Sequence, residues 1–361
     1  MFTNVFKNKT VLVTGHTGFK GSWLCIWLKE LGAKVVGYAL EPYTDRDNFV
    51  VTGLKDRIVH VIGNVNDFNG LKKVFAEYQP EFVFHLAAQA IVRESYGNPK
   101  DTFDVNIGGT VNVLECCRLS DSVRVIINVT SDKCYENREW VWGYRENDPM
   151  GGDDPYSSSK GCSELVSQAY GKSFFNANNF EAHQKSLSSV RAGNVIGGGD
   201  WQCHRIIPDC IRALEKNEPI QIRNPHAVRP WQYVLDPLSG YLLLASKMYR
   251  EPRKFNGAWN FGPGHGASMS VGKIADQVVT RWGSGKWIDS SKNGSLHEAR
   301  LLRLDISKAE SLLSWFSVLD TSEAIAKTVD WYKGYKNGDP YGICRDQIEK
   351  FQDVKRGHHD D

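Results

Sequence analysis

Apolar and polar positions follow two periods along the first half of the chain. Short apolar runs at 10–15 ("TVLVTG"), 34–40 ("KVVGYAL"), 57–63 ("RIVHVIG"), 81–87 ("EFVFHLA") and 123–130 ("VRVIINVT") read as strands. Between them lie stretches with helical spacing. In "GSWLCIWLKELG" the positions Trp23, Leu24, Trp27, Leu28 and Leu31 fall on one helical face, and Gly32 is placed to end the helix. "TFDVNIGGTVNVLECCR" at 102–118 is a second helical run. Strands alternating with helices predict an α/β fold of the Rossmann type, a doubly wound parallel sheet. From about Gly193 the pattern changes to Pro- and Trp-rich segments with short helices. We therefore expect a dinucleotide-binding domain over 1–193 and a smaller, mainly substrate-binding domain over 194–361. The segment around 229–262 is expected to return to the first domain. A polar, turn-rich excursion at 136–155 separates a strand from the next helix, and loops of that length are often functional.

Composition narrows the function classes. A formal net charge of +2 over 361 residues, with no basic run, argues against a nucleic-acid footprint. The eight cysteines form no C-x-x-C pair and several lie inside apolar patterns, so reduced, packed thiols are expected rather than a metal site or disulfide framework. The first residues show no secretory h-region and no apolar run is long enough to span a bilayer, which predicts a cytoplasmic protein with no membrane partner.

The first strand runs into "VTGHTGFKGSW", where Gly15, Gly18 and Gly21 open the first helix. Glycines there leave the backbone free to approach a pyrophosphate, and the helix N-terminus favours an anion. The ribose-binding acid should lie about 20 residues on. Glu41 is the nearest carboxylate, an exposed loop glutamate is the competing reading, and Arg46 nearby raises the NADP alternative. Asn64 and Asp67 could reach an adenine edge, with helix capping the other reading for Asp67.

"DDPYSSSKGCSELV" holds Tyr156 and Lys160 one helical turn apart, so both can reach one substrate, and a lysine cation favours a phenolate. Asp154 and Pro155 can start that helix. The spacing alone has little weight, because Tyr332 and Lys336 repeat it in "DWYKGYKNG"; lacking a strand and glycine loop upstream, that copy reads as surface. The strand at 123–130 ends on Ser131, Asp132 and Lys133, a hydroxyl, an acid and a base in a row. A capped loop turn with a solvated lysine is the plain alternative.

Together the glycine motif, "HLAAQA", the Ser131 strand end and Tyr156-x-x-x-Lys160 resemble the extended short-chain dehydrogenase/reductase superfamily. Within it, "TGHTGFKGSW", "TSDKCYENREWVWGYRE", "DPMGG", "YSSSKG" and "RAGNVIGGGDW" resemble the CDP-glucose 4,6-dehydratases, whose mark is Asp132-Lys133 where relatives carry Asp-Glu. The resemblance implies an NAD cofactor recycled each turnover, held by Gly15, Thr17, Gly18, Phe19, Gly21, Asn64 and Ala87 with Tyr156 and Lys160. It implies CDP-D-glucose as substrate and the 4-keto-6-deoxy sugar nucleotide as product, a precursor of the dideoxy sugars of O-antigen polysaccharide. Tyr156 would be the base at the 4-hydroxyl, Ser131 would hydrogen-bond the same oxygen, Asp132 would protonate the leaving 6-hydroxyl, and Lys133 would take the C5 proton. Asn194, Arg205, Arg229 and, more distantly, His297 match positions lining the nucleotide-sugar cleft. One departure is Gly63-Asn64-Val65-Asn66-Asp67, where relatives often read G-D-x-x-D. The superfamily also pairs helices such as 106–118 and 156–170, which predicts a homodimer, or a tetramer built on it. A 4-epimerase or another sugar-nucleotide dehydratase is the sister reading. A non-catalytic NAD(H)-sensing scaffold is the reading from a different class, disfavoured by the presence of Tyr156, Lys160 and Asp132.

Overall fold

The computed structural model describes residues 2, 4–264, 268–291 and 301–357. In the first half the strands are β1 (Thr10–Thr14), β2 (Lys34–Ala39), β3 (Val59–Ile62), β4 (Phe82–His85), β5 (Val125–Val129) and β6 (Ser186–Arg191). Later come β7 (Asn194–Ile196), β8 (Ile220–Ile222), β9 (Val228–Tyr233), β10 (Gly257–Asn260), β11 (Ser268–Ser270) and β12 (Trp287–Asp289). Seven strands form one sheet in the order β10-β6-β5-β4-β1-β2-β3. Every pairing in it is parallel. The chain runs outward from β1 to β3, returns to β4, and builds away in the other direction. The order therefore reverses between β1 and β4, which is where such sheets open a crevice for a ligand. This is the doubly wound fold that the apolar runs predict. The short strands make two further sheets, β11-β9-β7 and β12-β8.

The helix Phe19–Glu30 departs from the amphipathic reading. Gly21 through Leu28 are all buried, not one face of them. The sheet covers the inner side, and the helix Pro340–Gly357, more than three hundred residues away in sequence, covers the outer side. Phe351 meets Trp27 edge-on with centroids 5.8 Å apart, and the Tyr341 hydroxyl donates to Glu30 Oε1 at 2.5 Å. Burying large side chains such as Trp23 and Trp27 contributes roughly 2–3 kcal/mol each. Gly32, at φ +79°, follows the helix end and gives its N–H to the Lys29 carbonyl. The described cysteines are all free thiols, most of them buried. No helix among the described residues is long and apolar enough to cross a membrane.

Candidate active site

A cleft of about 860 Å³ runs over the ends of the parallel strands, from the glycine loop past Ser131 and Tyr156 to Arg229 and Trp231. At its first end the chain leaves β1 through Gly15, held at φ +75°. A Cβ on Gly21 would come within 2.1 Å of the Gly15 carbonyl oxygen, so the first helical turn closes onto the loop only because that position is glycine. A Cβ on Gly18 would meet only the Gly15 carbonyl, at 3.4 Å, and otherwise project into open space. Gly15, Thr17, Gly18, Phe19 and Gly21 line the cleft, as do Asn64 and Ala87. Thr17 Oγ1 donates to the Leu40 carbonyl at 2.9 Å, tying the loop to the end of β2. Thr14 Oγ1 accepts from the Ala87 N–H at 3.2 Å, tying β1 to the segment after β4. This cradle of close backbone at a helix N-terminus fits a dinucleotide pyrophosphate.

The candidates for the far end of a dinucleotide fare differently. Glu41 is exposed and does not line the cleft. Arg46 is committed elsewhere: it pairs with Glu215 at 2.5 Å, donates to the Tyr335 hydroxyl and lies 3.5 Å from the Trp201 ring centroid. The NADP alternative built on it fails for that reason. Asp67 caps its helix, accepting from the Gly70 N–H at 3.0 Å, as the capping reading predicts. Asn64 Oδ1 already accepts from the Asn66 N–H at 2.9 Å, so a local turn occupies part of its accepting capacity.

Ser131, Asp132 and Lys133 form a short turn at the end of β5. Ser131 Oγ accepts from the Lys133 N–H at 3.2 Å and donates to Asp132 Oδ1 at 3.0 Å. The capped turn is thus realised by the Ser131 hydroxyl, which also reaches the Asp132 carboxylate. Asp132 is 2% exposed, with the Gly193 backbone against it; a Cβ on Gly193 would lie 2.7 Å from Oδ2. Lys133 Nζ stands 3.9 Å from Asp132 Oδ1 and its side chain is about one-third exposed at the cleft.

Tyr156 and Lys160 enter from the helix Pro155–Ser173. Pro155 occupies the first turn, and Asp154 caps it through the Ser157 N–H at 2.9 Å and the Ser157 hydroxyl at 2.6 Å. Both side chains are buried against the turn. Tyr156 lies within hydrogen-bonding reach of Ser131. Burial pushes its phenol up to about 12, partly offset by the Ser131 bond. Lys160 is pushed down to about 8, first by burial, with Glu164 opposing. Its ammonium donates to the Val129 carbonyl at 3.3 Å. Burial dominates the Tyr156 shift, and the charges that act on it most are Asp132, which raises it, and Arg205, which lowers it.

The later segments bring further side chains to the same cleft. Asn194 begins β7 with its amide nitrogen buried and unpartnered, a donor aimed at something other than protein. Arg205 lines the cleft, paired with Asp200 at 2.7 Å and close enough to Tyr156 to influence it. Arg229 lines the far end from β9. His297 lies outside the described residues. The second Tyr-x-x-x-Lys copy is not surface as expected. Tyr332 is 1% exposed and donates to the Asp200 carbonyl at 2.5 Å, while Lys336 pairs with Glu215 at 2.9 Å on the outside. Sequence reasoning missed Lys20, which follows Phe19 in the glycine loop and reaches the cleft. Burial, with Arg205 and Lys160 nearby, lowers it to about 8, and Asp132 opposes. Its signal in the chain is a lysine inside the glycine loop, immediately before Gly21.

Residues 12–328 match the family model described as GDP-mannose 4,6 dehydratase. The chain belongs to that family. A CDP-glucose 4,6-dehydratase of Salmonella typhimurium is 50% identical over 342 residues, covering 94% of this chain and 95% of the relative. Among solved structures, an epimerase of Methanothermobacter thermautotrophicus superposes with a TM-score of 0.76 at 23% identity, covering 96% of each chain. A dTDP-glucose 4,6-dehydratase of Bacillus anthracis, solved in complex with NAD, gives 0.74 at 19% identity, covering 92% of this chain and 99% of that one. At those identities the two structures establish the shared fold.

Proposed function

We propose that the protein is an NAD-dependent CDP-D-glucose 4,6-dehydratase. The observation that carries this reading is the meeting of Ser131, Asp132 and Lys133 with Tyr156 and Lys160 in one cleft, in a chain 50% identical to an enzyme of that name. Gly15, Thr17, Gly18, Phe19 and Gly21 would hold NAD, which would supply the hydride chemistry at C4 and C6. The protein's own groups handle the protons. Tyr156 accepts the 4-hydroxyl proton, and Lys160 beside it binds the nicotinamide ribose. The 4-ketone acidifies C5, where Lys133 accepts the proton; water leaves with a proton from Asp132. Lys133 gives its proton back to C5 when C6 is reduced. The Tyr156 proton has a route to Asp132, because Ser131 lies within reach of Tyr156 and bonds Asp132 Oδ1 at 3.0 Å. The balance then closes within the cleft, with one water released and no net proton taken up.

Asn194, Arg205 and Arg229, from the part of the chain beyond residue 193, are assigned to the sugar nucleotide. A guanidinium suits its diphosphate, and the unpartnered Asn194 amide suits an oxygen acceptor. The helices Gly109–Leu119 and Pro155–Ser173 are assigned to a homodimer interface. Leu119, Leu165 and Phe174, at or just beyond the ends and outer faces of these helices, are exposed. Sedimentation at micromolar concentration checks that assignment: a monomer refutes it.

Incubation with CDP-, dTDP-, GDP- and UDP-glucose, followed by mass spectrometry, tests the reaction. Loss of water from the CDP sugar in preference to the others is the expected result. Conversion without change of mass would mean a 4-epimerase, and loss of water from another nucleotide sugar would move the assignment within the family.

A further inference from the structure

Behind the reacting groups lies a buried ion pair that the mechanism does not use. Glu164 sits one helical turn after Lys160, on the same face of the Pro155–Ser173 helix, and Arg191 ends β6. Their side chains are 4% and 3% exposed. The guanidinium grips the carboxylate with two bonds, Nε to Oε1 at 2.9 Å and Nη2 to Oε2 at 2.8 Å. Ser189 Oγ donates to Oε2 at 2.6 Å, and Thr130 Oγ1 donates to Oε1. Four donors on one carboxylate hold it ionised. Burial alone would raise its pKa, but Arg191 and these bonds bring it below the ordinary value.

The remaining arm of Arg191 reaches the other way. Nη1 donates to the Tyr135 hydroxyl at 2.5 Å and to the Glu146 carbonyl at 3.1 Å. The Tyr135 hydroxyl in turn donates to Asn260 Oδ1 at 2.8 Å, on β10. Asn260 closes the group: its side-chain nitrogen donates to the Tyr144 and Asp305 carbonyls, and its N–H donates to Glu146 Oε1 at 2.9 Å. Every member has its partners, the condition under which a buried polar network rigidifies its surroundings.

What gives this network a function is where its two arms end. Thr130 is the residue immediately before Ser131, and Tyr135 is the residue immediately after Cys134. The two arms therefore grip the turn that carries Ser131, Asp132 and Lys133 on both flanks. The pair's carboxylate belongs to the helix that carries Tyr156 and Lys160. We propose that the Glu164–Arg191 pair, acting through Thr130 and Tyr135, is a positioning device that sets the Ser131-Asp132-Lys133 turn against the Tyr156 helix and thereby controls the elimination step. Tyr156 and Lys160 ride on the same helix as Glu164, and Asp154 and Ser95 hold the start of that helix independently. Loosening the clamp displaces the acid and the base, and Ser131 with them, while the helix start keeps Tyr156 in place, so elimination suffers more than oxidation. Both arms are short and saturated, so displacements well under an ångström are resisted, the precision that proton transfer between positioned groups demands.

This inference rests on the dehydratase reading, and the experiment separates the two. Removing Glu164 or Arg191 strands a buried charge and endangers folding, so the hydroxyl variants Tyr135→Phe and Thr130→Val carry the test. Both keep the shape of the side chain and delete one arm. Wild-type enzyme is first shown to remove water from CDP-glucose; if it does not, the dehydratase reading fails whatever the variants do. With that in hand, each variant is expected to lower kcat about 10-fold, the scale of a modest misplacement, with KM within about 2-fold. The reduced-nicotinamide absorbance should rise within about 3-fold of the wild-type rate in a single turnover and then persist. Exchange of the C5 hydrogen with deuterated solvent should slow by the same factor as kcat. The double variant should lose more than either single one. A role confined to stability would lower the melting temperature and the active fraction while leaving the ratio of reduced cofactor to product unchanged, and that outcome overturns the proposal. So does an equal slowing of cofactor reduction and water loss.

Discussion

Tyr156 with Lys160 and Tyr332 with Lys336 share one spacing, yet the fold uses them in opposite ways. The helix of the first pair starts at the cleft, so its tyrosine and lysine both turn inward to Ser131 and Val129. The second helix, Thr321–Gly334, ends between Tyr332 and Lys336. Tyr332 is taken into the core, where it bonds the Asp200 carbonyl, and Lys336 is left outside with Glu215. A four-residue spacing places two side chains on one face only while the helix continues through both. The second copy is nonetheless connected to the cleft, since Asp200, which it supports, holds Arg205.

The contrast can be broken at several points. The largest effect is expected from Tyr156→Phe. It deletes the proton acceptor at the 4-hydroxyl and keeps the ring, so kcat should fall about 1000-fold, within the range of general-base loss. Stopped-flow absorbance should show no reduced nicotinamide with CDP-glucose. Turnover near the wild-type rate would mean that the tyrosine is misassigned.

Lys133→Met is next. Water loss should slow about 100-fold, while cofactor reduction survives because Tyr156 and Lys160 are untouched. If instead no reduced cofactor forms, Lys133 holds substrate and the elimination base lies elsewhere; Lys20, in the same cleft, is the amine to test.

Lys160→Met sharpens the contrast through stability. Burial takes Lys160 from 10.5 to about 8 in the folded chain. Between those values the unfolded chain holds more protons, so wild-type stability rises with pH across that window, and the penalty is complete below it. The variant loses activity but should gain about 1–3 kcal/mol at pH 7, with a correspondingly smaller rise in stability between pH 8 and 10.5. Urea unfolding at pH 7 and pH 9.5 measures both.

The second pair should respond weakly. Tyr332→Phe removes one buried hydrogen bond and is expected to cost about 1 kcal/mol of stability, with kcat within about 3-fold of wild type by the same token. Lys336→Met removes one partner of an ion pair at an exposed ammonium and should change stability by about 0.5 kcal/mol or less. A loss in kcat approaching that of Tyr156→Phe in either would erase the distinction between the two copies.

Much of the site was legible because its signals are local. The glycine loop is a contiguous stretch whose backbone geometry only glycine permits at Gly15 and Gly21, and strand, turn and helix follow in order. The Asp154-Pro155 start of the Tyr156 helix and the Ser131-Asp132-Lys133 row are equally local. The readings that failed were of residues whose fate depends on distant chain. Arg46 lies shortly after the end of the second strand, in the right region for a ribose phosphate, but Glu215, Trp201 and Tyr335 claim it. The first helix has one obvious apolar face, but a C-terminal helix buries the other.

The sequence by itself determined the alternation of strands and helices and the glycine loop, since each follows from periodicity or from backbone rules acting over a few residues; it offered Ser131, Asp132, Lys133 and Tyr156 as candidates through their resemblance to the dehydratases. Only the tertiary structure decided that Tyr332 is buried against Asp200, where Lys20 and Arg205 converge, and that Glu164 and Arg191 grip both flanks of the 131–133 turn. Those outcomes depend on desolvation and hydrogen-bond partners. Both are supplied by residues tens to hundreds of positions away, and no local pattern encodes which of them will arrive.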